Sequence, residues 1–197
     1  MSEFFLLEGG IATGKTTVMN EISNIALQNN EDVIFEKTPI ESLEGSREWI
    51  TENANPQTKA LWYLSHSTSV SQTVEEELEA GNDVLLDRYW PTTVAYYDPM
   101  VDADMYEIVD QFDLFEPDTV FYLTVDEDTR DQRIKDRGRD ENRSDEKSVE
   151  ETALNEYEDI FNSLDSQIER IDTKKYSPEE IADYISAEAG WVKGGEH

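Results

Sequence analysis

The stretch FFLLEGGIATGKTT, residues 4 to 17, limits what this chain can fold into more than any other. An apolar run of strand length ends in glycines, and Gly9, Gly14, Lys15 and Thr16 satisfy the spacing G-x-x-x-x-G-K-[ST]. Gly9 and Gly14 let the backbone curl so that successive N–H groups, from Gly10, Ile11, Ala12 and Thr13 onward, converge on a phosphate. The helix expected to open near Lys15 points its positive end at the same place. Lys15 reaches the β- and γ-phosphates, the Thr16 hydroxyl offers an oxygen to Mg²⁺, and Thr17 continues the first turn. The stretch therefore predicts a strand, a phosphate-binding P-loop and a helix in immediate succession, with a nucleotide as the occupant and its kind left open among GTPases, transport ATPases and small-molecule kinases.

The rest of the chain repeats the strand–helix alternation. Strands are expected at EFFLLE, DVIFEK, DVLLDR, TVFYLTV and IERIDT. Helices are expected at about 15–29, 57–80, 102–112, 127–137 and 146–168, with a last one after SPEE, where Ser177 can cap and Pro178 suits the first turn. Alternation of this kind predicts an α/β, three-layer P-loop NTPase fold: a five-stranded parallel sheet with helices on both faces. Ligands of such sheets gather at the carboxyl ends of the strands. No repeat or linker divides the chain, so residues 1–190 are expected to form one P-loop domain and 191–197 a C-terminal tail.

Composition narrows the function classes. The chain has 197 residues, with 46 Asp plus Glu against 16 Lys plus Arg, a formal net charge of -30. Aromatic residues reach 10% and apolar periodicity recurs along the length, which argues against disorder. Scarce basic residues give no nucleic-acid-binding face. Adaptation to high salt accounts best for the acidity, because molar salt shortens the Debye length to about 3 Å and screens acid–acid repulsion. The absence of cysteine removes thiolate zinc sites and cysteine nucleophiles. With no apolar run of membrane-span length and no signal peptide, the protein reads as cytoplasmic, without a membrane or nucleic-acid partner.

A second constellation follows the third predicted strand. DVLLDRYWPTTVAYY places Asp87 and Arg88 at a strand end beside the loop. There an acid can hold Mg²⁺ or its waters, and an arginine can hold a phosphoryl group with two parallel hydrogen bonds.

DRYWPTTVAYY resembles the D-R-Y-x-x-[ST]-x-x-A-Y-Q signature of thymidylate kinases, and PDTVFYLTVDEDTRDQRIKDRG resembles their fourth strand and lid entry. The resemblance spans residues 3 to about 188. It places the chain in the group that also contains the deoxynucleoside kinases, and some segments are more similar to those. EGGIATGKTT is similar to their E-G-N-I-x-A-G-K-S-T, whereas thymidylate kinases usually carry an acid where Ile11 stands. RIKDRGRDE is also similar to the deoxynucleoside kinase lid. Phe35 stands where a thymidylate kinase has the Arg that grips the acceptor phosphate.

The resemblance implies ATP and Mg²⁺ as cofactors and a nucleotide or nucleoside as acceptor. It implies a lid at about 133–147, in which Arg133, Arg137 and Arg139 neutralise transferring phosphate. Seven of the chain's 16 basic residues fall between Arg130 and Lys147, Arg143 among them. Arg133 and Arg137 are spaced i, i+4, and Gly138 ends the helical pattern. Glu36 takes the position of the deoxynucleoside kinase general base, and Arg88, with Arg47, remains as a ligand for an acceptor phosphate. Trp62 takes the position of the aromatic that stacks on thymine, His66 that of a base-contacting Arg, and Tyr96 that of the residue crowding the sugar 2′ position. Three functions follow in order: a kinase converting dTMP to dTDP, a deoxynucleoside kinase acting on a 5′-hydroxyl, and a nucleotide-binding regulator without turnover. A homodimer stands open beside the monomer.

Overall fold

The computed structural model describes residues 2–40, 45–138 and 144–192, with the backbone alone for 144–147. Five parallel strands form one sheet: β1 (Phe4–Gly9), β2 (Val33–Lys37), β3 (Asp83–Asp87), β4 (Thr119–Thr124) and β5 (Gln167–Asp172), in the order β2-β3-β1-β4-β5. The expected five-stranded parallel sheet is thus present, and β1 lies at its centre. Leu7 pairs with Asp87 on one side and Gly9 with Leu123 on the other, so the phosphate-binding loop leaves the sheet between the ends of β3 and β4.

The period-two pattern of the strands divides the core into two layers. Phe4, Leu6, Val84, Leu86, Val120 and Tyr122 face one way, against α3 (Pro56–Ala80), α4 (Trp90–Tyr97) and α7 (Ser144–Ser163). Phe5, Leu7, Leu85, Phe121 and Leu123 face the other way, against α1 (Lys15–Asn29) and α8 (Pro178–Glu188). β1 is buried along its whole length, which is why it reads as a continuous apolar run rather than an alternating one.

Local signals set most helix ends. Val18, Ile22 and Ala26 make the buried stripe of α1, which ends at Asn30 in the left-handed region, φ 55°. Asn55 caps α3 by accepting from the Thr58 N–H at 2.8 Å, and Gly81, at φ 96°, ends it. Ser177 and Glu180 form a reciprocal capping box on α8, with Pro178 in its first turn.

Several expectations need correction. The helix expected at 102–112 is only α5 (Met105–Val109), because Asp104 caps it and the residues before it make a 3₁₀ turn at Asp98–Met100. The helix expected to run to 168 stops at Ser163, since Gln167 already belongs to β5. Two short helices escaped the periodicity: α2 (Arg47–Asn53) and α4, whose Pro91 lies in its first turn. Trp191, placed in the tail, is buried: its ring packs edge-on against Phe5 and its Nε1–H donates to Asp83 Oδ2 at 2.7 Å. The remaining helix, α6 (Glu127–Asp136), follows β4.

Candidate active site

The loop between β1 and α1 is built as its spacing requires. Gly14 has φ 102°, a left-handed conformation at the helix entrance that a side chain would strain. Gly9 has φ 146°, and a Cβ there would collide with the carbonyl oxygen of Leu123, so glycine lets β1 and β4 stay paired where the loop departs. Lys15 is buried. Its ammonium donates to the carbonyl oxygens of Gly9 and of Gly10, the latter at 2.9 Å, and so is folded back over the loop. Burial, together with the nearby Arg88 charge, pulls the Lys15 pKa down to about 7, while Asp87, Glu8 and Glu150 oppose the shift. A bound polyphosphate would supply the negative charge that keeps this amine protonated. Thr16 is exposed in the first turn of α1, where its hydroxyl can meet a ligand.

Asp87 and Arg88 stand at the end of β3, beside this loop. The Arg88 N–H donates to Leu7 O at 3.2 Å, and the Thr38 N–H donates to Asp87 O at 3.0 Å, so the ends of β1, β2 and β3 are tied together here. Asp87 Oδ1 is buried and has no hydrogen-bond partner among the described residues. Burial works against the Arg88 charge, but Tyr157, Glu8, Tyr96 and Asp87 outweigh it and hold the guanidinium protonated.

The end of β2 carries Glu36, half-buried, in register with Leu86 and one residue before the Lys37–Asp87 pair. Trp62 and His66, one turn apart on α3, have ring centroids 4.2 Å apart. Trp62 is half-buried and donates from Nε1 to Ser46 Oγ at 3.1 Å. His66 is fully buried: its Nδ1 accepts from the Ile40 N–H at 3.1 Å, and its Nε2 finds no partner among the described residues. Burial lowers its pKa, which fits a neutral ring accepting at Nδ1. Arg47 opens α2 and is exposed.

The lid residues separate. Arg133, on α6, donates to Ala12 O at 3.1 Å, to Thr173 Oγ1 at 2.9 Å and to Thr173 O at 2.8 Å, which joins the loop to the segment after β5. Arg137 is exposed and caps the end of α6. Gly138 follows at φ 66° and ends the helix as expected. Arg139 and Arg143 lie outside the described residues, as does the side chain of Lys147. Between the loop and the β5–α8 connection lies a cleft of about 360 Å³, with Gly14, Thr17, Arg133, Arg137 and Tyr176 in its wall.

The structure adds residues to which the motifs gave no role. Glu8 is fully buried. Its carboxylate accepts from the Tyr89 N–H at 3.1 Å, from Thr92 Oγ1 at 2.7 Å and from Tyr157 Oη at 3.1 Å. Burial pushes its pKa up, while Arg88, Thr92 and Lys15 restrain the shift. An unpaired buried carboxylate costs several kcal/mol, so this array of donors and cations is what allows it to exist. Glu150, on α7, accepts from the Ile11 N–H at 2.7 Å and from the Tyr96 hydroxyl. Burial and the Glu150 charge together drive the Tyr96 pKa upward. Glu8 had a signal in the sequence, because it continues the core face of Phe4 and Leu6. Glu150 had none, because only the fold returns α7 to the loop.

A family model for thymidylate kinase matches residues 7–185. The chain belongs to the thymidylate kinase family. The crystal structure of thymidylate kinase from Ehrlichia chaffeensis is similar to it, with a TM-score of 0.69 at 16% sequence identity, covering 95% of this chain and 96% of that one. At that identity the likeness speaks for the fold. Family membership makes the chain a nucleotide kinase, with ATP as the phosphoryl donor. The family match agrees with the overall resemblance and outweighs the local departures at Ile11, Phe35 and RGRDE that pointed toward deoxynucleoside kinases. Among the described residues, no helix is long and apolar enough to cross a membrane.

Proposed function

We propose that this chain transfers the γ-phosphoryl group of ATP to dTMP, giving dTDP and ADP. The reading is carried by one arrangement: in a chain of this family, the loop lysine and the Asp87–Arg88 pair converge at the ends of adjacent strands. Loop N–H groups and the positive end of α1 hold the donor phosphates, with Lys15 on the β- and γ-phosphates. The cleft walled by Thr17 and Tyr176 takes the nucleoside half of ATP, and its volume suits such a ligand. Arg88 holds the acceptor phosphate opposite, so that one of its oxygens attacks the γ-phosphorus in line as the bond to the ADP oxygen breaks.

The donor set fits Mg²⁺. Thr16 presents an exposed hydroxyl, and Asp87 presents a buried carboxylate oxygen that nothing else occupies among the described residues. Such hard oxygen donors, few in number, suit an ion that arrives with the nucleotide and keeps several waters. When bound, it neutralises charge on the transferring phosphoryl group. In the same reading the segment at about 133–147 closes as a lid, bringing Arg133, Arg137 and Arg139 to the phosphates. Trp62 and His66 border the base pocket, with Trp62 the more accessible of the two, and Tyr96 borders the sugar. A cytoplasmic location accords with the lack, among the described residues, of a helix able to cross a membrane, and a homodimer stands open beside the monomer.

Turnover by the native chain and by Glu36→Gln, measured with ATP and either dTMP or thymidine, tests this reading. A monophosphate dianion attacks without losing a proton, whereas a hydroxyl needs a base whose removal costs about 10²–10⁴-fold. We expect dTMP to be the better substrate and the variant's kcat to fall less than about tenfold. Activity on thymidine alone, or a thousandfold loss, moves the chain to the deoxynucleoside kinases. No turnover of either acceptor by the native chain leaves the regulator.

The charge of -30 is read as adaptation to concentrated salt. The thermal midpoint, followed by circular dichroism, should climb from dilute buffer to molar KCl as repulsion among the acids is screened. A flat or falling midpoint removes this reading.

A further inference from the structure

Glu8 lies between Lys15 and Arg88, and neither phosphate binding nor transfer as set out above uses it. We infer that Glu8 is a positioning residue, which holds Arg88 in the conformation that meets the acceptor phosphate. The inference rests on the acceptor reading above.

Arg88 has φ 68°. A side chain in that left-handed region persists only where its surroundings over-determine it. Its own N–H donates to Leu7 O at 3.2 Å, and its carbonyl accepts from Thr38 Oγ1 at 2.9 Å. The next N–H, of Tyr89, donates to Glu8 Oε1 at 3.1 Å. The guanidinium donates from Nη1 to Thr92 Oγ1 at 3.3 Å, and that hydroxyl donates onward to Glu8 Oε2 at 2.7 Å. Backbone and side chain of Arg88 thus both reach Glu8, each through one neighbour. Tyr157, on α7, also donates to Oε2, at 3.1 Å, and its hydroxyl lies 2.8 Å from Thr92 Oγ1.

The arrangement separates holding from binding. Glu8 pairs electrostatically with Arg88 but has no direct hydrogen bond to it, because Thr92 stands between them. Among the described residues the guanidinium donates only to Thr92, so most of its five N–H groups stay available for a phosphate. A direct, two-pronged Glu–Arg pair would consume the fork that the acceptor needs.

Glu8→Gln keeps the shape and can still accept from Tyr89, but it carries no charge and one oxygen fewer. Thr92→Val leaves the charge and removes the relay. Calorimetric binding of dTMP and of thymidine, which lacks the phosphate, to each variant tests the inference in the native and Arg88→Ala backgrounds. Each substitution should weaken dTMP about tenfold or more in the native background, and less than about twofold once Arg88 is gone, because coupled residues are not additive. Thymidine affinity should change less than about twofold, since no phosphate reports on Arg88. Equal losses for dTMP and thymidine, or equal losses in both backgrounds, would mean that Glu8 only supports the fold, and would overturn the inference. If Glu8→Gln does not fold, Thr92→Val decides the matter by the same two comparisons. Failure of the native chain to bind dTMP overturns the acceptor reading and this inference with it; native binding with uniform losses overturns this inference alone.

Discussion

Lys15→Met should lose about 10²–10³-fold in turnover with ATP and dTMP, while unfolding within a few degrees of the native chain. In the proposed reading the charge on Lys15 meets transferring phosphate, and removing one such preorganised donor costs about 10²–10³-fold even where others remain. The fold has little reason to suffer. The Lys15 ammonium is buried against carbonyl oxygens of its own loop, and burial already holds its pKa near 7 rather than at its ordinary value. Methionine fills the same volume, removes a charge that is costly to bury, and forfeits hydrogen bonds from a charged group worth about 1.5–3 kcal/mol each, so the terms largely offset. Steady-state turnover and a thermal melt on one preparation check both halves. Near-native turnover would remove Lys15 from the chemistry, and a collapsed melt would make its role structural.

Asp87→Asn should lower kcat by about 10²–10³-fold at saturating Mg²⁺ and leave the melting midpoint unchanged or slightly higher. Asp87 stands at the β3 end, and its buried oxygen lacks a donor among the described residues. An oxygen kept in that state weakens the free protein and finds compensation only when a cation or its water arrives. The amide is nearly isosteric and uncharged, so it relieves the free protein and binds the ion poorly. Activity titrated with Mg²⁺ separates this from general damage: the variant should need far more Mg²⁺ to reach half its own maximum. An unchanged Mg²⁺ requirement, or a midpoint that drops together with activity, would place Asp87 in the scaffold instead.

Much of the molecule is legible in the sequence itself. Gly9, Gly14, Lys15 and Thr16 are separated by at most a few residues, so their geometry is set by the backbone between them. α1 starts at Lys15 because a phosphate-binding loop ends there. β1, β3 and β4 declared themselves by apolar runs buried on both faces, and the capping box of α8 by Ser177, Pro178 and Glu180. Short elements were less legible. α2 and α4 are too short to show a helical period, and the early end of α7 is decided by β5 taking its place beside β4.

What only the tertiary structure decided is which distant residues meet. Glu8 and Tyr157 are 149 positions apart and share a hydrogen bond; Glu150 and Ile11 are 139 apart and share another. No spacing rule reaches that far, because the separation is closed by packing α4 and α7 on one face of the sheet rather than by the local chain. Arg133 shows the same limit: no spacing in the sequence gives the hydrogen bonds of its guanidinium to Ala12 and Thr173. Sequence alone determined that this chain must cradle a phosphate, since neighbouring backbone units build that cradle. The long-range fold decided how the charged groups around it are held, since an interior carboxylate such as Glu8 exists only where several separate segments bring it donors at once.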